Sequence, residues 1–176
     1  MVEQINESEI LEKLNLAPSV RGFFITAVDV LTQSVDALME RIFLKDNFAV
    51  QSVVGPLLHD SGPLGDIQVR LKLLFGLGVV SDKVFQDIEK IIKLKNSLNA
   101  DGSEHEFTDT KVMNVIQSFY SIQKLGLPTF ELIESDVEMD VEFYQLQLQR
   151  RQQMIKSSLS LAVIEICNAL NIDSPF

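Results

Sequence analysis

An all-α bundle of about six or seven helices is the fold class this sequence predicts, and three observations carry the prediction. Apolar residues recur at spacings of three and four over long stretches, and no convincing period-2 alternation occurs anywhere. Ser, Asp, Asn, Gly and Pro punctuate those stretches where helices start and stop. Hydrophobic residues make up 46% of the 176 positions, which is enough for one sizeable core and excludes an extended disordered chain.

Residues 1–16 read as a short amphipathic arm, docked on the body or on a neighbouring subunit. Asn6 followed by Glu9 resembles a capping box, and Ile10, Leu11 and Leu14 share one face. Pro18 suits a first helical turn, and a long helix then runs to about Lys45. Its stripe is Phe24, Val28, Leu31, Val35, Leu38 and Ile42, opposed by Asp29, Gln33, Asp36 and Glu40. Residues 48–58 are short and apolar; β-branched content permits a strand, but the helical company favours one or two helical turns.

Asp60-Ser61-Gly62-Pro63 breaks that pattern, and Asp66 opens an apolar helix that stops at Gly76 and Gly78. Asp66 and Arg70 stand four apart, a spacing that allows a weak surface ion pair. Ser81 caps the next helix, to about Leu98, with Phe85, Ile88 and Ile92 buried and Lys83, Lys90, Lys93 and Lys95 giving a basic side. Asn99-Ala100-Asp101-Gly102 ends it. Thr108-Asp109 caps a helix through about Lys124, stopped by Gly126 and Pro128. The last helix spans about 136–171 and keeps Val141, Leu148, Ile155, Leu159, Ala162, Ile166 and Leu170 on one face. The whole of 1–176 is read as one domain.

Chemistry is scarce. The Gly62–Asp66 turn lacks the Gly-Lys-Ser/Thr ending of a phosphate loop, and Asp66 occupies the position an anion would take. His59 and His105 have no partner at metal-ligand spacing. No Gly-x-Ser-x-Gly occurs, and Cys167, between Ile166 and Asn168 of an apolar helix, reads as an inert core thiol. The sequence therefore assigns no catalytic residue, cofactor or metal. A single cysteine fits a reducing compartment, and neither a secretory leader nor an uninterrupted apolar run of about 20 residues is present, so a cytoplasmic location without membrane contact is expected.

The net charge is −10. Such a field repels nucleic acid unless a local basic patch overrides it. The lysines from Lys83 to Lys95 could form a patch, joined by Arg70 and Lys72 or by Arg150, Arg151 and Lys156. Asp82, Asp87 and Glu89 interrupt it, and no compact helix-turn-helix stands out. The opposite feature is an acidic run of Glu131, Glu134, Asp136, Glu138, Asp140 and Glu142, either a solvated helix entry or a dock for a basic partner.

Several landmarks together resemble the mannitol operon repressor family of bacterial proteins. They are Val54-Gly55-Pro56-Leu57-Leu58, Ser61-Gly62-Pro63-Leu64-Gly65-Asp66, Arg70-Leu71-Lys72-Leu73-Leu74-Phe75-Gly76-Leu77-Gly78, Asp87-Ile88-Glu89-Lys90, Leu98-Asn99 and Phe107-Thr108-Asp109. The resemblance covers about residues 20–125. It implies an all-helical fold and repression of sugar-alcohol utilisation genes, but supplies no DNA-reading motif. The expected mode is contact with another transcriptional regulator or with a sugar-uptake protein of the phosphotransferase system, with direct DNA binding through the lysine ridge as the alternative. The candidate contacts are Arg70, Lys72, Lys90, Lys93, Lys95, Glu138 and Asp140, and homo-oligomerisation through the arm or the last helix is compatible with the pattern. Lys95 to Ala100 also resembles helical ribonuclease-type domains of toxin systems, but Lys95 and Ala100 stand where their Arg and His are needed.

Overall fold

The computed structural model describes residues 6–43, 48–59, 61–125 and 141–172, and among them there are eight helices and no strand. These are α1 (Glu7–Leu16), α2 (Val20–Phe43), α3 (Phe48–Leu58), α4 (Ile67–Gly76), α5 (Asp82–Ala100), α6 (Thr110–Gln117), α7 (Tyr120–Leu125) and α8 (Val141–Leu170). The all-α expectation holds.

Helix α2 is the axis of the bundle, because its apolar residues are not confined to one stripe. Eleven of its side chains are buried, and it packs on α5 and α8 most extensively and on α1 and α4 as well. By length and mean hydropathy α2 could cross a membrane, but here that apolar surface is spent on the core. Phe23 stands edge-on to both Phe24 and Phe107, at centroid separations of 5.4 and 5.5 Å, so a loop aromatic closes the end of the core.

Local signals act as read in several places. Asn6 caps α1, accepting the Ser8 amide at 3.1 Å; Asp66 caps α4, accepting Gln68 N–H at 2.7 Å; Ser81 caps α5 through Val84 N–H. Gly78 takes φ +74°, which lets the chain reverse after α4 while Val79 N–H reaches Leu74 O at 3.0 Å. At α2, Pro18 lies before the helix and Ser19 supplies the cap, its hydroxyl accepting Gly22 N–H at 3.0 Å.

Two expectations change. The helix predicted over 109–124 is two helices, broken at Ser118–Phe119. Neither residue is a breaker. The break is made by Asp87 of α5, whose buried carboxylate accepts the N–H groups of Tyr120 and Ser121, each at 2.9 Å, and starts α7 there. The Asp66–Arg70 pair also does not form, because Arg70 turns inward. Residues 136–140 of the predicted last helix lie outside the described residues.

Candidate partner-binding surface

The seven candidate contacts separate once placed in the fold. Arg70 is only 7% exposed. Its Nη1 donates to the Asp36 carboxylate of α2, its Nε to Leu64 O and its Nη2 to Leu58 O. One guanidinium thus joins α2, the end of α3 and the turn into α4, which only a planar five-donor group can do. Arg70 belongs to the interior. Lys72, two residues on, points to solvent.

The lysines of α5 do not form one ridge. Lys83 and Lys90 both lie on the ring of Tyr120, at 5.8 and 5.0 Å from its centroid, and Lys90 Nζ also donates to Ser118 O at 2.9 Å. Lys93 is 71% exposed and sits 4.0 Å from Glu89. Lys95 is half-buried and lies roughly 140° round the helix from Lys90, as five residues at 3.6 per turn require. The patch is split into an aromatic-bound pair, a lone surface lysine and a side residue. Glu138 and Asp140 lie outside the described residues.

Other polar side chains at work here carry no sequence motif. Arg21 of α2 donates to Leu98 O, Asp101 O and Ser103 O at 3.1, 2.7 and 2.9 Å, closing the C-terminal end of α5. His105 lies between two carboxylates, with Nε2 2.9 Å from Asp101 and Nδ1 3.3 Å from Asp109. Asp101 also accepts from the Ser103 hydroxyl and amide, and these bonds, with smaller help from His105, hold its pKa down to about 2. Asp109 precedes α6 as expected, but its carboxylate turns back to Glu106 N–H instead of capping the helix. Gln152 of α8 fastens this loop by accepting Phe107 N–H at 2.9 Å and donating to Thr108 Oγ1 at 2.9 Å. The Arg21 and Gln152 contacts join residues distant in sequence and the His105 contacts lie in a loop, so no helical periodicity announces them.

No group of His, Cys, Asp and Glu suited to a metal exists among the described residues. Cys167 is buried beside Ser34, and burial raises its thiol pKa, which suppresses thiolate reactivity. What the surface does offer is apolar. Helix α3 has no charged residue from 48 to 58, and Phe48 is 84% exposed. Val141, Phe143, Tyr144, Leu146 and Met154 of α8 are exposed too. Such surface is characteristic of protein contact rather than of catalysis.

Comparison with known proteins agrees. The family model described as "Mannitol repressor" matches residues 6–171. The chain belongs to the mannitol repressor family. The mannitol operon repressor of Escherichia coli strain K12 is 38% identical over 174 residues, covering 98% of this chain and 86% of that protein. Fumarase E of the same strain is 28% identical over 160 residues, covering 90% and 93%. Among solved structures, the complex of MtlR with HPr from Escherichia coli contains a chain 36% identical, at a TM-score of 0.85 and covering 94% of this chain and 98% of that one. YggD of Shigella flexneri, described as a possible transcriptional regulator, is 25% identical at a TM-score of 0.79, covering 96% and 100%. Two of the landmark residues are joints of this fold: a Cβ at Gly62 would meet Pro56 O and Leu57 O, and the Arg70 guanidinium ties three segments together.

Proposed function

We propose that this chain is a cytoplasmic, non-enzymatic negative regulator of sugar-alcohol utilisation genes that acts by binding an HPr-type protein of the phosphotransferase system. The observation that carries the reading is the likeness to a relative solved in complex with HPr, over 94% of this chain. The composition and surface support it: acidic overall, and apolar at α3 and at the start of α8. Lys72 and Lys93 are the exposed members of the candidate set, and they are assigned to partner contact together with Glu138 and Asp140.

Direct DNA repression is the second reading, and it rests on the lysines of α5. Two of them are held on Tyr120, which leaves few phosphate contacts in a field of −10. The test is calorimetric titration of the purified chain with HPr beside a mobility-shift assay on the operator of a mannitol gene cluster. Binding to HPr with no shift of DNA is the expected result. A salt-sensitive DNA shift by the chain alone, with no heat from HPr, would overturn it. A fumarate hydration assay at background level is expected to separate this chain from the enzymatic name its 28% relative carries.

A further inference from the structure

An open cleft of about 590 Å³ lies between the first turns of α5, helix α7 and the last turns of α8. That volume falls within the roughly 300–1,000 Å³ of small-molecule sites. Its charged lining is Lys83 and Lys124 with Asp87 and Glu165. Two ammonium groups and two carboxylates cancel, so the cleft has no net charge with which to hold an ion. Asp87 is committed to the amides that start α7, and Lys124 pairs with Glu165 at 2.5 Å. Lys83 is exposed and meets no carboxylate among the described residues; its ammonium stands 5.8 Å from the centroid of the Tyr120 ring. Ser121 also lines the cleft, 6% exposed, and its hydroxyl finds no hydrogen-bond partner among the described residues. A buried hydroxyl left unpaired is costly and calls for a partner.

We propose that this cleft binds a neutral, polyhydroxylated small molecule. The lining selects that class by what it offers. Ammonium groups donate to ligand oxygens, the Glu165 carboxylate accepts from ligand hydroxyls, and the Tyr120 ring and Ile166 take the C–H surface between them. An anion would face two carboxylates inside a chain of net charge −10. An apolar ligand would strip water from the ammonium groups and leave the Ser121 hydroxyl unpaired. Ser121 Oγ is closed off from solvent, so its contact with a ligand requires a bordering side chain to shift.

The choice of a sugar alcohol as probe rests on the regulatory reading above; the charge balance of the cleft does not. In a regulator of sugar-alcohol genes such a site lets the chain respond to the compound itself, at a place apart from α3 and from the start of α8.

Amide chemical-shift titration of the full chain with D-mannitol, D-mannitol 1-phosphate and fumarate tests the proposal. Mannitol should bind, and the two anions at least tenfold more weakly. Its shifts should centre on residues 81–87, 120–124 and 165–169 and spare α3. Lys83→Met removes a donor, and Ala169→Phe fills the cleft from its rim. Both positions are exposed, so circular dichroism should stay unchanged while mannitol binding falls fivefold or more in the first and tenfold or more in the second. No shift from mannitol at tens of millimolar, tighter binding of either anion, shifts centred elsewhere, or undiminished binding by Ala169→Phe would each overturn the proposal. Titration with HPr is read separately: a chain that binds mannitol but not HPr refutes the partner reading and leaves this site standing.

Discussion

Arg70→Met isolates the joint on which α3 depends. The substitution keeps most of the stem volume and removes three donations, to Asp36, Leu58 O and Leu64 O. Breaking a fully buried ion pair from one side costs about 3–5 kcal/mol, and a hydrogen bond to a charged group about 1.5–3. Here the Asp36 side chain is 35% exposed and regains water when the guanidinium leaves, so the expected cost is at the lower end, about 3 kcal/mol. For a chain of this size that lowers the melting temperature by about 6–12 °C. The loss should be felt first in residues 48–65, because none of the described side chains of α3 is fully buried and this guanidinium ties the end of the helix to α2 and α4. Hydrogen exchange measures it: amides of α3 and of the turn to Asp66 should lose protection while those of α2 and α5 keep theirs. Arg70→Lys should behave nearly as badly, since one ammonium cannot span three acceptors on three segments. Unchanged exchange over 48–65 in Arg70→Met, or a melting temperature within 2 °C of the parent as judged against the magnitude above, would refute the assignment of Arg70 as that joint.

Four further outcomes follow from other contacts in the fold. Gly62→Ala should destabilise the same turn, because an added Cβ would lie 2.5 Å from Pro56 O and 2.7 Å from Leu57 O, both backbone atoms; urea unfolding reads the loss. Asp87→Ala orphans the N–H groups of Tyr120, part-buried, and Ser121, buried, at the start of α7, and its expected cost is about 2–3 kcal/mol, read by urea unfolding together with faster exchange at Tyr120 and Ser121. Asp101 has its folded pKa depressed from 3.8 to about 2, so its contribution is complete above pH 3.8 and is lost as pH falls through about 2; Asp101→Asn should remove that part of the acid dependence, measured as the difference between the two acid-unfolding curves. Lys72→Glu and Lys93→Glu should leave stability within about 0.5 kcal/mol, and any effect they have on HPr titration then reports contact rather than folding.

Helix existence was legible because it is written in local periodicity and caps: α2, α4, α5 and α8 follow from their stripes and from Asp66 and Ser81. Three matters were not legible, each for a physical reason. The break between α6 and α7 is imposed by a carboxylate more than thirty residues away, and residues 118–119 carry no trace of it. Arg70 looked like a surface cation because a helical wheel shows direction, not what lies in that direction; only the turn returning through Leu58 and Leu64 supplies its acceptors. Lys90 likewise sits on the basic side of α5, but an aromatic ring from α7 occupies that side. The family landmarks, by contrast, were legible as a set, and the comparison bears out the membership they implied.

The same device recurs at helix ends, and it bears on the DNA question. Arg21 donates to carbonyls at the end of α5, Lys156 to Asn15 O and Ala17 O at the end of α1, Arg41 to Leu170 O and Ile172 O at the end of α8, and Arg70 to Leu58 O at the end of α3. Each is a cation brought by another helix to the negative pole of a helix dipole, where orphan carbonyls need donors. With Lys90 on Ser118 O, at least five of the fifteen lysines and arginines are committed to backbone carbonyls among the described residues. The positive charge left for a phosphate backbone is correspondingly smaller than the composition suggests, against twenty-five acidic residues in the sequence. That use of cations to hold helices together supports the proposed protein-contact reading over direct DNA repression, and it directs the test to the apolar surfaces of α3 and α8 and to the exposed lysines Lys72 and Lys93.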